Sequence, residues 1–484
     1  MENSKNNEPQ GFIASIVRTF LTGPLSILLI VFAVIAGAMA IQLTPREEEP
    51  QIVVPMVDIY VGFPGHSPRE VEELVTRPLE KLMWQIDGVE HVYSMSRRDQ
   101  SMVTVRFYVG QDRERAMVKI RDKVDGNQDL VPPGVTNWIV KPVEIDDVPI
   151  VTLTLTSPDA SASELRRIAE EAEARLAKVR NVFRSEIHGG YRREVRIEGD
   201  QSKMLALGVC FADIQMAIAA NNQFADSGKI ISGDTSMRLL AGKVIKSAGE
   251  IARIPIMAIN GRPIYVEDVA TVYDTVEEPE RYHHSTYGQA SQKAEPGERH
   301  PAVTISFSKK KGTNAVEVAR EIVAEAEKLK GKVIPPEVDL IVSRNYGATA
   351  DEKVNELLSS MLFAILTVVG LMAFTMGWRA AVVVGLSVPV SFALALFINL
   401  IAGYTINRVT LFALILSLGL VVDDPITNVD NIQRHLQMGR EAPEKAALSA
   451  VMEVIVPVIM STLAIIVSFT PMFFITGMMG PYMG

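Results

Sequence analysis

Asp423 and Asp424 stand side by side inside an otherwise apolar stretch, Val409–Asn428. An aspartate at the middle of a bilayer costs roughly 2.5–3.5 kcal/mol to insert. A doubled one is tolerated where it faces a bundle interior or a water-filled path, and the default chemistry of such a pair is proton or ion relay. The plainer alternative is a structural pair, neutral or salt-bridged to another helix. Adjacent helical positions differ by about 100°. The two carboxylates therefore look toward different neighbours, yet stay close enough to titrate as a coupled pair. A lysine nearby would favour the charged form, and moving it away would let a proton bind. Such a switch couples protonation to helix movement.

The flanking residues add to this chemistry. Pro425 removes one backbone N–H and frees the Val421 carbonyl, which predicts a kink and a polar spot beside the acids. Gly419 would serve packing or gating, because it lets a neighbouring helix approach closely. Asp430 and Asn431 lie two turns on and are expected to be interfacial caps. No other span carries Lys or Arg in its core, so a counter-cation must come from elsewhere.

The elements that position these residues are five apolar runs: Pro24–Leu43, Leu357–Met376, Ala380–Ala402, Val409–Asn428 and Val454–Ile475. Each is long enough to cross a hydrocarbon core of roughly 30 Å as a helix. The mean hydropathy of +0.18 over 484 residues is too low for a chain wholly within the membrane, and residues between the first two runs read as globular. Ala38-Met39-Ala40 resembles a signal-peptidase site, but the apolar core before it is longer than a signal peptide's. The first run is therefore read as an uncleaved helix. Lys5 and Arg18 precede it, Arg379 lies between the second and third runs, and Arg434, Arg440 and Lys445 lie between the fourth and fifth. Calling those three places cytoplasmic puts the large region outside.

The outer region contains a repeat. Val57–Gly62 reads as a strand, Ser67-Pro68-Arg69-Glu70 as a capping box opening a helix, and Val89–Met95 and Val103–Phe107 as strands. Asp112 opens a second helix, which Pro132-Pro133-Gly134 terminates. The order is β-α-β-β-α-β, a ferredoxin-like unit. A second copy begins at Pro149, with a strand through Val151, Leu153 and Leu155. Ser161-Ala162-Ser163-Glu164 opens its helix, and Arg193–Ile197 reads as its next strand. It resumes with Ala302–Phe307, a helix from Asn314, and Val338–Val342. The expected fold class is thus a helical membrane bundle plus an α+β region outside it with tandem ferredoxin-like subdomains, the second split by an insert. The expected divisions are 1–23 as a cytoplasmic segment, 24–43 as the first span, 50–146 as one subdomain, 147–197 with 301–345 as the next, 198–300 as the insert, 357–475 as the later spans and 476–484 as the end. Asn221–Gly242 in the insert is an extended arm or a loop.

Other classes are excluded or disfavoured. The net charge of −9 and the absence of a basic stripe argue against nucleic acid. A single cysteine, Cys210, excludes an intramolecular disulfide and supplies no cysteine-based metal site. His283 and His284 are adjacent and poorly placed to share one metal. No nucleotide loop, nucleophile elbow or metalloprotease motif occurs, so no cofactor is expected beyond protons as the coupling ion. Work across the membrane would draw on an ion gradient, worth about 2.3 kcal/mol per charge per 100 mV.

The chain resembles the amino-terminal half of a resistance–nodulation–division permease of the hydrophobe/amphiphile efflux branch. Gly419-Leu420-Val421-Val422-Asp423-Asp424 carries most of the likeness, with Asp430-Asn431 where the family usually has Glu-Asn. Phe63-Pro64-Gly65, Ile86-Asp87-Gly88-Val89 and Gly312-Thr313-Asn314-Ala315 add to it. The resemblance implies a proton-driven exporter of small amphiphilic substrates in the bacterial inner membrane. It implies two porter subdomains and a docking-type insert, a homotrimer, a periplasmic adaptor and an outer-membrane channel. Asp423 and Asp424 match the relay aspartates, and Pro425 departs from the small residue common there. The family has a second homologous half that carries the relay lysine. This chain reaches Gly484 after its fifth run, so it is expected to be a fragment, a truncated product or one subunit of a split permease, and to need a second permease half. Export of lipid or another cargo, or a scaffold or regulatory role without transport, are the alternatives.

Overall fold

The computed structural model describes residues 12–50, 54–143, 147–259, 261–279, 281–290 and 297–480. Part of the expected cytoplasmic segment, 1–11, and of the expected end, 481–484, lies outside the described residues. Helix α1 (Phe12–Thr22) precedes the first span, α2 (Leu25–Leu43). It was not expected. Its polar residues Ser15, Arg18, Thr19 and Thr22 recur at helical spacing, which makes it amphipathic and suited to a membrane interface.

The first sheet unit follows the expected order: β1 (Met56–Gly62), α3 (Pro68–Val71), α4 (Arg77–Met83), β2 (Val89–Arg97), β3 (Gln100–Phe107), α5 (Arg113–Asp125) and β4 (Asn137–Val143). The sheet runs β2-β3-β1-β4, and every neighbouring pair is antiparallel. Val57, Ile59 and Val61 alternate inward from β1 and meet Val71, Val75, Met83 and Ile120 of the helices. A π turn, Glu72–Thr76, separates α3 from α4, where the periodicity predicts one unbroken helix. Pro78 has no N–H to give the Leu74 carbonyl, and the Arg77 N–H bonds instead to the Glu72 carbonyl. Thr76 Oγ1 is buried at the turn beside the Val71 carbonyl at 3.2 Å and the Ser101 hydroxyl at 2.7 Å.

The second unit opens with β5 (Val151–Thr156), α6 (Ala162–Leu176) and β6 (Val182–His188). The insert then supplies β7 (Arg193–Gly199), α7 (Gln201–Leu207), α8 (Phe211–Asn221), β8 (Gln223–Ser232), β9 (Thr235–Lys243), α9 (Ala248–Ala252), β10 (Pro255–Ile259), β11 (Arg262–Tyr265), α10 (Val266–Val269) and β12 (Ala270–Val276). The chain returns through β13 (His284–Thr286), β14 (Arg299–Lys309), α11 (Ala315–Leu329) and β15 (Asp339–Asn345). The sheet order is β13-β14-β5-β15, with β6 also on β14. Arg193–Ile197, expected in this sheet, pairs instead with β12 of the insert along its whole length. The strand that does fill the place is β6, whose exposed, charged residues conceal its pattern. The insert therefore begins before the expected residue 198. Asn221–Gly242 includes most of a two-stranded hairpin, β8 with β9, that exposes Ile230, Ile231 and Met237.

Four further helices complete the chain: α12 (Tyr346–Thr375), α13 (Trp378–Ala402), α14 (Arg408–Met438) and α15 (Pro443–Phe469). With α2 they are the five helices among the described residues that are long and apolar enough to cross a membrane. Helices α12 to α15 each extend past at least one end of the expected spans, while α2 stays within its own. Helix α14 continues to Met438, and α15 begins at Pro443 rather than at the apolar Val454. Hydropathy marks only the lipid-facing part of a helix, whereas backbone hydrogen bonds continue into the polar turns. The 31 residues of α14 reach about 46 Å.

The close approach expected at Gly419 occurs elsewhere. A Cβ on Gly419 would meet nothing within 4 Å, whereas one on Gly37 of α2 would lie 2.8 Å from Ala393 Cα of α13. Replacing Gly37 by Val should therefore separate α2 from α13 at a cost of about 1–3 kcal/mol. A lowered midpoint of thermal unfolding in detergent checks this.

The two capping boxes carry a pH dependence. The backbone N–H and then the hydroxyl of Ser67 hold the Glu70 carboxyl below its ordinary range, and Ser161 does the same for Glu164. A folded-state value lowered in this way adds stability above the unfolded carboxylate range, and that stability is lost as pH falls through the lowered value. Protection of the first turns of α3 and α6 against hydrogen exchange should therefore drop below about pH 4. In Ser67→Ala and Ser161→Ala it should be low already at neutral pH.

Candidate functional site

Helix α14 is capped by Asn407, whose side chain accepts from the N–H groups of Val409 and Thr410 at 2.9 and 3.0 Å. From this cap it presents distinct faces. Leu418 and Val422 are buried against Val384, Val388 and Phe392 of α13. Asp424 faces α15, where Thr462 Oγ1 lies 3.1 Å from its Oδ2. Asp423, one position earlier, is exposed on a third face. The two carboxylates thus look toward different surroundings, as adjacent helical positions must. Helix α14 runs on through Pro425. Downstream, Thr427 and Asn428 return their polar side chains to the carbonyls of Asp423 and Asp424, at 3.0 and 2.8 Å.

Thr462 is a site residue that the sequence reading missed. A hydroxyl both donates and accepts. Thr462 can donate to a charged Asp424 carboxylate. It can equally accept from a protonated one while donating to the Val458 carbonyl, 2.9 Å away. The same partner therefore serves both protonation states without moving a backbone. The available signal was Thr462 itself, a hydroxyl residue beside Ser461 within the fifth apolar run. Neither Asp423 nor Asp424 forms an ion pair among the described residues.

Asn431 is not the interfacial cap expected. It is buried, and its Nδ2 donates to the Ala450 carbonyl at 2.7 Å and reaches Glu453 Oε2 at 3.3 Å. Arg434 grips both oxygens of Glu453 at 2.8 Å, with its Nε at 3.0 Å from Asn431 Oδ1. His435 Nε2 lies 2.7 Å from the same carboxylate. This cluster ties α14 to α15 some two turns beyond the aspartates. Asn431 can do this because α14 extends past it to Met438, which leaves its side chain, and not a helix end, facing α15.

No group of three or more His, Cys, Asp or Glu side chains suited to a metal occurs among the described residues. His283 bonds Thr304 at 3.0 Å, and burial followed by the neighbouring histidines lowers its pKa, which favours the neutral ring.

Compared with known proteins, residues 16–482 match the AcrB/AcrD/AcrF family. The chain belongs to this family of resistance–nodulation–division permeases. Multidrug resistance protein MdtC of Yersinia enterocolitica serotype O:8 and its counterpart in Yersinia pestis bv. Antiqua are each 27% identical to it over 465 residues. The match covers 95% of this chain and 44% of each relative, so the chain spans less than half their length. Permeases of the family are multi-pass proteins of the bacterial inner membrane. The apolar helices and the sheet-rich region of this chain fit that location, with a large periplasmic portion.

Glu453→Gln should weaken the α14–α15 tie, because arginine then loses its charged, bidentate partner. A lower melting temperature of the detergent-solubilised protein checks this, and Arg434→Gln should lower it less in the Glu453→Gln background than in the wild type.

Proposed function

We propose that the chain acts as the amino-terminal half of a proton-driven permease that exports hydrophobic and amphiphilic compounds. Family membership supports the transport class, and the MdtC relatives carry multidrug resistance in their names. The observation that carries the proton step is Asp424 in an apolar helix, bonded to a hydroxyl suited to both of its protonation states. Asp423 and Asp424 form the relay, and protons are the coupling ion, without a further cofactor. Pro425 sets the helix geometry beside the relay.

The β-α-β-β-α-β order and the β2-β3-β1-β4 arrangement support reading the two sheet units as ferredoxin-like porter subdomains. The insert is read as the docking module, with the β8–β9 hairpin reaching a neighbouring subunit of a homotrimer. A second permease half, a periplasmic adaptor and an outer-membrane channel complete the exporter.

Asp424→Asn tests the relay in the full-length gene product. The expected outcome is loss of dye export from cells at unchanged membrane abundance. Export at the wild-type rate would overturn the assignment. Thr462→Val should slow export less than Asp424→Asn and shift its pH profile, because it removes the partner and keeps the carboxylate.

A further inference from the structure

A short linker at the top of the membrane bundle bonds to several elements at once. Thr44–Glu49 leaves α2 and passes beneath the second sheet unit. The Ile406 N–H donates to the Pro45 carbonyl at 2.9 Å, and the Glu47 N–H donates to the Ile406 carbonyl at 3.0 Å. The Arg408 N–H bonds the Glu48 carbonyl at 3.3 Å, and its guanidinium pairs with Glu49. These contacts hold the cap and first turn of α14. Arg46 pairs with Asp351 of α12 at 3.0 Å, and its carbonyl accepts from the Ala315 N–H of α11 at 3.2 Å. Glu47 Oε1 meets Lys309 Nζ at 2.6 Å, at the end of β14.

This last pair differs from the others. The Glu47 and Lys309 side chains are only 4% and 5% exposed, and no other ion pair among the described residues is so buried on both sides. Its surroundings do not saturate it. Glu47 Oε2 and Thr44 Oγ1 are buried without a hydrogen-bond partner among the described residues. A buried pair with an unanswered oxygen is a poor source of stability, and apolar residues of similar volume often serve a fold equally well. What charge adds at such a place is a specific registry between two elements. Lys309 ends β14, the strand that hydrogen-bonds to β5, β6 and β13.

We propose that the linker Thr44–Glu49, pinned by the Glu47–Lys309 ion pair, is the joint that carries displacement of α14 into the second sheet unit. The proposal rests on the relay reading of Asp423 and Asp424. A shift at the relay moves the start of α14, the Ile406–Arg408 contacts move the linker, and the pair moves β14. The ridge of α11 follows through Arg46 and Ala315. Glu47 and Lys309 are positioning residues in this scheme and touch no cargo.

The test compares the full-length wild-type protein with Glu47→Leu/Lys309→Met, which replaces the pair by apolar side chains. The charge reversal Glu47→Lys/Lys309→Glu and Asp424→Asn are measured beside it. Melting temperature in detergent establishes folding. Hydrogen exchange of β14 and α11 at acidic and neutral pH reads the coupling, and dye export reads the function. The wild type should change its β14 and α11 protection with pH. The apolar double variant should fold as stably, lose that response, and export about tenfold more slowly. The charge reversal should regain part of both. A double variant with wild-type response and export overturns the joint and leaves the pair as simple anchorage. A wild type without any response in β14 and α11 also overturns it. Asp424→Asn that keeps the response and export overturns the relay reading instead, and the double variant still decides whether the pair links the membrane bundle to β14.

Discussion

A carboxylate inside a membrane helix is costly unless another group answers it, and this cost organises the contacts between α14 and α15. Asp424 is answered by the Thr462 hydroxyl of α15. Glu453 of α15 is answered in turn by Asn431, Arg434 and His435 of α14. The two helices thus exchange polar contacts at two levels, one neutral and adaptable, the other charged and bidentate. A helix pair held firmly at one end and by a single hydroxyl in the middle can tilt about the firm end.

The upper half obeys a related constraint. Backbone groups leaving the membrane must be paired, and the linker after α2 pairs with the loop before α14 through a parallel bridge between Arg46 and Ile406. The sheet units above rest on cores of their own. Leu153, Leu155, Ile305 and Phe307 form one with α6 and α11, and Val57, Ile59, Val103 and Val105 form another with α3, α4 and α5. Each unit has an apolar core of its own, and the second meets the bundle both through Gly347 of α12, which lies close against Ala319 and Val316 of α11, and through directional polar contacts of the linker. Directional bonds of this kind specify geometry more sharply than apolar packing does.

Much of the architecture was legible in the sequence because local rules agree with the global outcome. The capping boxes at Ser67 and Ser161 start helices where their spacing says, and Asp112 and Asn314 cap as expected. Alternation in β1, β3 and β5 marks the buried face. The misreadings have physical causes. Strand β6 carries Arg184, Glu186 and His188 on its exposed face and lacks a clean apolar period. Strand β7 has an ordinary alternating pattern, but pattern does not name a partner, and its pairing with β12 is a non-local event. The amphipathic α1 is short of any hydropathy threshold for a span.

By itself the sequence determined the apolar runs, the α/β repeat and the adjacency of Asp423 and Asp424. Those are properties of composition, period and covalent order, and they survive without knowledge of any neighbour. The tertiary structure alone decided that Asp424 faces Thr462 while Asp423 is exposed. It also decided that Gly37 meets a neighbouring helix closely while Gly419 does not, and that Glu47 meets Lys309 from 262 residues away. Each of these depends on how helices are rotated and which strands meet. Rotation and pairing are fixed by the summed packing of many side chains, which no local stretch of sequence contains.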